Sequence, residues 1–199
     1  MIRVGITGGI GSGKTIISKV FVVLGIPVFY ADAAAKKVMT EDPELVKAMK
    51  AEFGEKAYIA DGQLDRGYIA SQVFDDKERL EKLNSIVHPA TFRAMDAWTA
   101  EQKNVPYVLK EAALLYESGS YKDCDFTILV IANEAVKIAR IKDRDGLNEE
   151  QIRTRMARQM TDEEKRPLAD FIIHNSGNDL VVPQVLNIHE QILAKGQHA

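Results

Sequence analysis

The chain has 199 residues, of which 46% are hydrophobic and 28% are charged, a balance typical of one globular domain with a full hydrophobic core. Its formal net charge of −3 gives no support to a nucleic-acid partner, and its apolar runs are too short to span a bilayer. The single cysteine excludes an internal disulfide and no secretion signal is visible, so we expect a cytoplasmic protein with no membrane partner.

The first predicted elements are a strand, a helix and a second strand. "IRVGIT", residues 2–7, is a β-branched run typical of a buried strand. Helical spacing follows, with one apolar side formed by Ile16, Ile17, Val20, Phe21 and Leu24. Gly25 is a predicted C-terminal cap of this helix. "PVFY", residues 27–30, predicts a second strand that ends at Ala31 and Asp32.

The stretch of residues 40–104 contains no convincing strand. Its apolar residues repeat with helical spacing, for example over residues 45–53 and again over residues 80–87. His88 and Pro89 interrupt the pattern, so we expect one helix to end there and another to begin. A connection of this length between two strands usually has a functional role, because packing alone does not require it.

The rest of the chain returns to alternating strands and helices. Strands are predicted at "VPYVLKEA", "DFTILVIA" and "DFIIHN", and helices over residues 134–143 and 180–194. Asn148 is predicted to cap a further helix, and the spacing of Thr161 and Glu164 predicts a capping box for another. This alternation predicts an α/β fold with a parallel sheet and helices on both faces.

The motif "GGIGSGKT", Gly8 to Thr15, lies between the first strand and the first helix, and we call it the phosphate loop. Glycines with positive φ allow its N–H groups to converge on an anion at a helix N-terminus, while Lys14 adds a full charge. The Thr15 hydroxyl is a ligand for the Mg²⁺ that accompanies a nucleoside triphosphate. The alternative is a glycine-rich turn that matches by chance. The predicted ATP-binding residues here are Gly9, Gly11, Ser12, Gly13, Lys14, Thr15 and Ile16.

The loop alone predicts ATP or GTP binding, and other features narrow the class of protein. An N-K-x-D motif, which a GTPase switch would use to read its base, is absent from the sequence, and "DRDG" at Asp143 follows a helix instead of a core strand. The chain is short for a motor or a transporter ATPase. A small phosphotransferase fits better, because the helical stretch could supply a second pocket for the acceptor.

The chain resembles the dephospho-CoA kinases nearly from end to end. The matching stretches are "GITGGIGSGKT", "LGIPVFYADAAAKKV", "LEKLNSIVHPA", "KEAALLYESG" and a closing segment that matches through Arg140, Arg144, Arg155, Gln159, Ala169, Asp170 and Asn175. The chain departs from the family at the D-x-D after the second strand, where Tyr30 replaces the first Asp and Asp32 keeps the second. In D-x-P-L-L-x-E, Glu111 replaces the Asp and Ala113 the Pro.

The resemblance implies that ATP phosphorylates the 3′-hydroxyl of dephospho-CoA to give CoA and ADP, the last step of coenzyme A biosynthesis. It also implies a P-loop nucleoside-triphosphate hydrolase-type three-layer fold in a single kinase domain. The nucleotide-binding core would span about residues 1–39 and 105–199, the helical acceptor-binding insertion about 40–104 and a lid about 140–166. ATP and dephospho-CoA are the expected partners, with Mg²⁺ accompanying ATP.

Two carboxylates follow strands at the edge of the sheet where open α/β folds bind ligands. Asp32 follows the second strand, and position alone leaves two interpretations, a general base or orienter for the acceptor hydroxyl and a helix N-cap. The resemblance favours catalysis. Glu111 ends the third strand and is predicted to hold Mg²⁺ through water together with Thr15, the alternative being an acid paired with a lysine.

The acceptor side has weaker candidates. His88 is predicted to contact the phosphates of the acceptor, and a capping or core histidine is the alternative. Leu114 and Leu115 are predicted to pack the acceptor pocket without taking part in the chemistry. Arg66 and Arg93 could contribute there, although such residues are more often solvated charges.

The basic residues of the expected lid carry the positive charge that would stabilise a negatively charged phosphoryl group during transfer. Arg140 and Arg144 are four residues apart and share one helical face, so Arg140 is predicted to stabilise the transition state and Arg144 to bind ATP. A solvated basic face is the alternative. Asn175, after the last strand, is predicted to meet adenine, the alternative being a turn cap. Cys124 lies between two aspartates, which predicts a raised thiol pKa and no nucleophilic role.

Overall fold

A computed structural model describes residues 1–74 and 76–196, and its centre is a five-stranded parallel sheet. The sheet has the order β2-β3-β1-β4-β5, and all four neighbouring pairs are parallel. The α/β prediction is therefore confirmed. The strands are β1 (Ile2–Thr7), β2 (Val28–Tyr30), β3 (Tyr107–Glu111), β4 (Phe126–Ile131) and β5 (Phe171–His174).

The described helices follow the predicted pattern closely. They are α1 (Lys14–Val23), α2 (Ala31–Glu41), α3 (Pro43–Phe53), α4 (Arg66–Val73), α5 (Lys77–Glu101), α6 (Glu134–Asp145), α7 (Glu149–Met156), α8 (Asp162–Lys165) and α9 (Val181–Gly196), with 3-10 turns at Glu55–Ala57, Ser120–Asp123 and Arg166–Leu168. None of the helices within residues 1–74 and 76–196 combines the length and the apolar character needed to cross a membrane.

The chain divides into two compact units. The first contains Met1–Tyr30 and the described part of Gln102–Ala199, and the second is the continuous stretch Ala31–Glu101. The second unit begins earlier than the predicted insertion at about residue 40, because α2 packs against α5 and so belongs with the other helices. We call these the sheet unit and the helical unit.

The core of the sheet unit is formed by the central strands and the buried sides of α1 and α9. On α1, Ile17 and Phe21 are fully buried, as the spacing predicts. Ile16 was expected on the same side, and this is wrong, because its side chain is 68% exposed. The end of α1 is closed by Gly25 (φ 82), where the N–H of Gly25 bonds to the Val22 carbonyl and that of Ile26 to the Phe21 carbonyl.

Helix starts near the end of the chain are set by local side-chain bonds. Asn148 accepts a hydrogen bond from the Gln151 N–H, and the Gln151 side chain bonds back to the Asn148 N–H. Thr161 and Glu164 form the same reciprocal pair at the start of α8. Both predicted caps are confirmed, since each depends only on residues three apart in sequence.

The helical unit has its own core and one unexpected feature. α5 runs without interruption from Lys77 to Glu101 with Pro89 inside it, so the predicted break at His88-Pro89 is wrong. A proline inside a helix costs about 3 kcal/mol. Val87 and Ala90, which flank this position, are both buried in the core of the unit, and their burial offsets that cost.

The second strand is shorter than predicted, because β2 ends at Tyr30 and α2 begins at Ala31. Asp32 therefore lies within the first turn of α2 and is not its N-cap, which corrects the structural alternative for this residue. An acidic side chain in a first turn still interacts favourably with the positive end of the helix.

Candidate functional site

The phosphate loop has the backbone that its glycines predict. Gly8, Gly11 and Gly13 have φ of 155, 81 and 96, all within the range that favours glycine. At two of these positions, Gly8 and Gly13, close packing also leaves no room for a side chain. A Cβ on Gly8 would lie 2.2 Å from the Val130 carbonyl oxygen, and one on Gly13 would lie 2.3 Å from the Asn175 Nδ2 atom.

Lys14 opens α1 with its ammonium group folded over the loop. Its Nζ donates a hydrogen bond of 3.0 Å to the Gly8 carbonyl oxygen, so the charge already lies at the turn. Ser12 is fully buried and donates its N–H to the Gly9 carbonyl oxygen at 3.0 Å. The loop is thus a closed turn with the Lys14 cation held against its backbone, which is an arrangement suited to an anion.

Thr15 and Glu111 are brought together, as the strand-edge argument predicts. The Thr15 hydroxyl donates to the Glu111 Oε1 atom at 3.1 Å. Thr15 is exposed, while Glu111 is half-buried at the end of β3. No cluster of three or more His, Cys, Asp and Glu side chains suited to a metal ion occurs among the described residues. One hydroxyl and one carboxylate nevertheless fit Mg²⁺ that takes its other ligands from phosphates and water.

Tyr30, which stands where the resembled family has an Asp, is the register partner of Glu111 across β2 and β3. Burial, and secondarily the negative charge of Glu111, raise the pKa of the Tyr30 hydroxyl. The tyrosine therefore stays neutral beside the carboxylate, and one negative charge is absent from this edge of the sheet.

Arg140 and Asn175 hold the second half of the phosphate loop. The Arg140 guanidinium lies 3.3 Å from the carbonyl oxygens of Gly11 and Ser12 and 3.4 Å from the Asn175 Oδ1 atom. The Asn175 side chain donates to the Ser12 carbonyl oxygen at 2.8 Å, and its own N–H bonds to the Ile131 carbonyl oxygen. Adenine binding by Asn175 stays a prediction, while its amide here supports the loop backbone.

Arg144 lies on the same helix as Arg140 but has a different partner. α6 extends to Asp145, so the two arginines do fall on one helical stretch. The Arg144 guanidinium forms two hydrogen bonds, of 2.8 and 3.0 Å, with the carboxylate of Asp145. Its predicted contact with ATP stays a prediction.

Two predicted site residues lie in the helical unit. Asp32 is exposed in the first turn of α2. His88 lies inside α5, half-buried, with its ring centroid 6.1 Å from that of Phe92. Their contacts with an acceptor stay predictions.

The two leucines predicted to pack the acceptor pocket, Leu114 and Leu115, differ in burial. Leu115 is fully buried, and its Cδ2 atom would lie 2.7 Å from a Cβ on Gly5 of β1. Leu115 therefore stabilises the core of the sheet unit, and only Leu114, which is 46% exposed, has surface for a ligand.

Cys124 is an unreactive thiol, as predicted, although the main cause is different. Burial raises its pKa to about 11, and the neighbouring carboxylates of Asp123 and Asp125 add to the effect while Lys110 opposes it. Desolvation of the thiolate is thus the larger influence.

Sequence reasoning assigned no role to three residues that contact the phosphate loop. Gln159 accepts a hydrogen bond from the Ile10 N–H, and Lys137 forms an ion pair with Asp162 beside Gly9. Gln159 and Ile10 are 149 positions apart, so no local pattern could reveal this contact. Beside them lies a cavity of about 940 Å³, lined among others by Gly9, Ile10, Lys137, His174 and Ser176.

The comparisons with known proteins point to one family. A family model described as dephospho-CoA kinase matches residues 2–180. The chain is 43% identical to the dephospho-CoA kinase of Salinibacter ruber over 184 residues, covering 90% of this chain and 92% of the relative. It is 36% identical to that of Chlorobaculum tepidum over 200 residues, covering 96% and 94%.

Solved structures give the same picture for the fold. The crystal structure of TT1252 from Thermus thermophilus is similar with a TM-score of 0.85 and 33% identity, covering 96% of both chains. The dephospho-CoA kinase of Campylobacter jejuni is similar with a TM-score of 0.67 and 26% identity, covering 97% of this chain and 98% of that one.

Proposed function

The chain belongs to the dephospho-CoA kinase family, and from that premise we propose which of its residues carry the reaction. The protein is a kinase that uses ATP to phosphorylate the 3′-hydroxyl of dephospho-CoA, giving CoA and ADP in the last step of coenzyme A biosynthesis. The observation that carries the proposal is the phosphate loop, with Lys14 folded over it and Thr15 bonded to Glu111.

The phosphate loop binds the ATP donor. The start of α1 supplies partial positive charge, and Lys14 exchanges its contact with the Gly8 carbonyl for the terminal phosphates. Gly9, Gly11, Ser12, Gly13, Thr15 and Ile16 complete the donor site. The cavity beside Gly9 and Ile10 supports an adenine position near Asn175, because His174 and Ser176 on either side of Asn175 also line it.

Thr15 and Glu111 hold the Mg²⁺ that accompanies ATP. The ion would neutralise charge on the phosphates during transfer. The 3.1 Å separation between the Thr15 hydroxyl and the Glu111 carboxylate supports this role, because it places two oxygen ligands side by side at the end of β3. Glu111 is one methylene longer than the family's Asp.

Asp32 accepts the proton of the 3′-hydroxyl or orients that hydroxyl toward the donor. Its exposure supports this, since a group that receives a proton from a substrate must be accessible to it. His88 and Leu114 are the proposed contacts of the acceptor, and Leu115 supports Leu114 from within the core.

Arg140 stabilises the transferred phosphoryl group. It already lies against the loop, with its guanidinium 3.3 Å from the Ser12 carbonyl oxygen. The loose transition state spreads negative charge over the phosphoryl oxygens, and a guanidinium group stabilises such charge well. Arg144 contributes to ATP binding from the same helix, and residues 140–166 form the lid.

The cysteine content supports a cytoplasmic location. The chain has a single cysteine and so cannot form an internal disulfide, the bond that is typical of proteins in oxidising compartments.

Replacement of Lys14 tests this assignment of the donor site. Lys14→Ala should lower kcat by several orders of magnitude, because it removes a full charge aimed at the phosphates, yet it should leave the free energy of unfolding nearly unchanged. ADP release is followed with dephospho-CoA, AMP, CMP and pantothenate as acceptors. Lys19→Ala, an exposed position on the same helix, is the matched control. Activity of Lys14→Ala within a few fold of the parent would show that the loop is not the donor site.

A further inference from the structure

Residues 159–162, which are the last part of the connection between α7 and α8 and the first residue of α8, contact the first half of the phosphate loop, and we call them the loop brace. The Gln159 Oε1 atom accepts a hydrogen bond of 2.8 Å from the Ile10 N–H. Asp162 forms an ion pair with Lys137, and both side chains are about nine-tenths buried. A Cβ on Gly9 would lie 3.3 Å from Lys137 Nζ and 3.7 Å from Asp162 Oδ1, so the pair is packed against the loop.

The loop brace is itself fixed to the sheet unit. The Met160 N–H donates to the Glu117 Oε1 atom at 3.0 Å, and Lys165 Nζ lies 2.9 Å from the same oxygen. Lys165 is fully buried, and an ion pair removed from water is costly to separate. The chain that follows Gln159 is therefore anchored to the sheet unit, and this anchoring begins at its neighbour Met160.

We propose that Gln159 is a positioning residue for the phosphate loop, which it holds in the conformation that receives ATP. The proposal rests on the proposed function, because it assumes that this loop binds the donor. A loop with several glycines has many accessible conformations, and ordering it upon binding reduces affinity. A fixed acceptor at the Ile10 N–H selects one orientation of that peptide before ATP arrives. Gln159 acts through the Ile10 peptide and needs no contact with the nucleotide.

This role predicts a loss of affinity for ATP·Mg²⁺ and not for dephospho-CoA. Gln159→Met keeps the length of the side chain but removes the acceptor, so the Kd for ATP·Mg²⁺ should rise about 3- to 10-fold, as expected for one hydrogen bond. The Kd for dephospho-CoA measured alone should change less than twofold. kcat at saturating ATP should also change less than twofold, because the bound loop has the same conformation in both proteins.

The test combines binding with a direct measurement on the Ile10 amide in the full chain. Hydrogen exchange at ¹⁵N-labelled Ile10 should accelerate at least tenfold in Gln159→Met and stay slow in Gln159→Glu, since a carboxylate also accepts the bond. Gln191→Met, the same change at an exposed position of α9, is the matched control for ATP affinity and for Ile10 exchange.

Three results with Gln159→Met or with the two substrates would overturn the role of Gln159, and a fourth comes from Gln159→Glu. These are an unchanged Ile10 exchange rate in Gln159→Met, a faster rate with ATP affinity within twofold of the parent, and an equal weakening of both substrates. Loss of Ile10 protection in Gln159→Glu would also count against it. The donor site itself is judged separately by Lys14→Ala. If Lys14→Ala is inactive while Gln159→Met binds ATP normally, the positioning role of Gln159 is wrong and the proposed function stands.

Discussion

At the scale of single residues, the pair formed by Thr15 and Glu111 makes the proposed metal site testable. Glu111→Gln keeps the shape of the side chain and removes its charge. The Mg²⁺ concentration for half-maximal activity should rise about 10- to 100-fold, the usual cost of losing one oriented group at a metal site. Activity is measured over a MgCl₂ titration at fixed ATP. Glu190→Gln on the exposed side of α9 is the control, and an unchanged Mg²⁺ requirement in Glu111→Gln would remove Glu111 from the metal site.

Asp32 has two possible roles that an experiment must separate, catalysis and stabilisation of the N-terminus of α2. Asp32→Asn removes the base while leaving a polar side chain in the first turn of α2. We expect kcat to fall about 10²- to 10³-fold, the lower half of the range for a positioned general base, because much of its effect in a loose phosphoryl transfer is orientation. The Kd for ATP·Mg²⁺ should change little.

Both quantities are measured in the same preparation of this variant, with Asp61→Asn in a turn of the helical unit as the control. A kcat within threefold of the parent would leave Asp32 with only its favourable position at the helix N-terminus. A large loss of ATP affinity at unchanged kcat would place it in the metal site instead.

At the scale of elements, the start of α3 combines a cap with an ion pair. The Asp42 carboxylate accepts hydrogen bonds from the Glu44 and Leu45 N–H groups, at 3.0 and 3.2 Å, and pairs with Arg93 at 2.8 Å. The Leu45 bond, and then Arg93, lower the pKa of Asp42. A carboxyl with a lowered pKa in the folded state adds stability above its ordinary pKa, and that stability is lost as the pH falls through the folded value.

This dependence of stability on pH gives a prediction for Asp42→Asn, which keeps the helix cap but has no charge. At pH 7 the parent should be more stable by about 0.5–1 kcal/mol, and the difference should vanish as the pH falls through the lowered pKa of Asp42. Urea unfolding followed through the fluorescence of Trp98, the single tryptophan, reports on α5 of the helical unit. Asp61→Asn controls for the loss of any one carboxylate. A difference that persists unchanged at low pH would mean that the charge of Asp42 does not contribute.

The elements also show where sequence patterns succeed. The caps at Asn148 and Thr161 and the glycine after α1 were predictable, because each is decided within a few residues. The break at Pro89 was predicted wrongly, since burial on both sides of it outweighs a local cost. The exposed Ile16 shows that the apolar spacing of α1 is wider than the side that packs.

At the scale of the whole molecule, the meeting of Thr15 with Glu111 was predictable, because the ligand sites of open α/β sheets lie at the carboxyl ends of the strands. The contact of Gln159 with Ile10 was not, because it joins an irregular connection to a loop with no periodicity in either. The helical unit begins at Ala31, ahead of the insertion expected from about residue 40, because α2 packs against α5, and no local pattern shows that contact.

The helical unit is continuous in sequence, so its independence can be tested directly. Residues 31–101 contain a core formed by Leu45, Met49, Phe53, Ala57, Tyr58, Ile69, Val87 and Ala90. The Tyr58 hydroxyl donates to the Met39 carbonyl oxygen at 2.7 Å and the Tyr68 hydroxyl to that of Phe53 at 2.9 Å, so both tyrosine hydroxyls have their partners within the unit. Such a core and such local contacts favour folding without the rest of the chain.

We therefore expect a fragment of residues 31–101 to be helical by circular dichroism and to unfold cooperatively in urea, with a stability of about 3–5 kcal/mol, typical of so small a core. Met49 is fully buried, and Met49→Ala should cost about 2–5 kcal/mol, a large part of the stability of the fragment. Lys47→Ala, exposed on the same helix, should leave the transition unchanged within about 0.5 kcal/mol. A parent fragment with a random-coil spectrum would show that the core of the helical unit cannot hold its helices without the sheet unit.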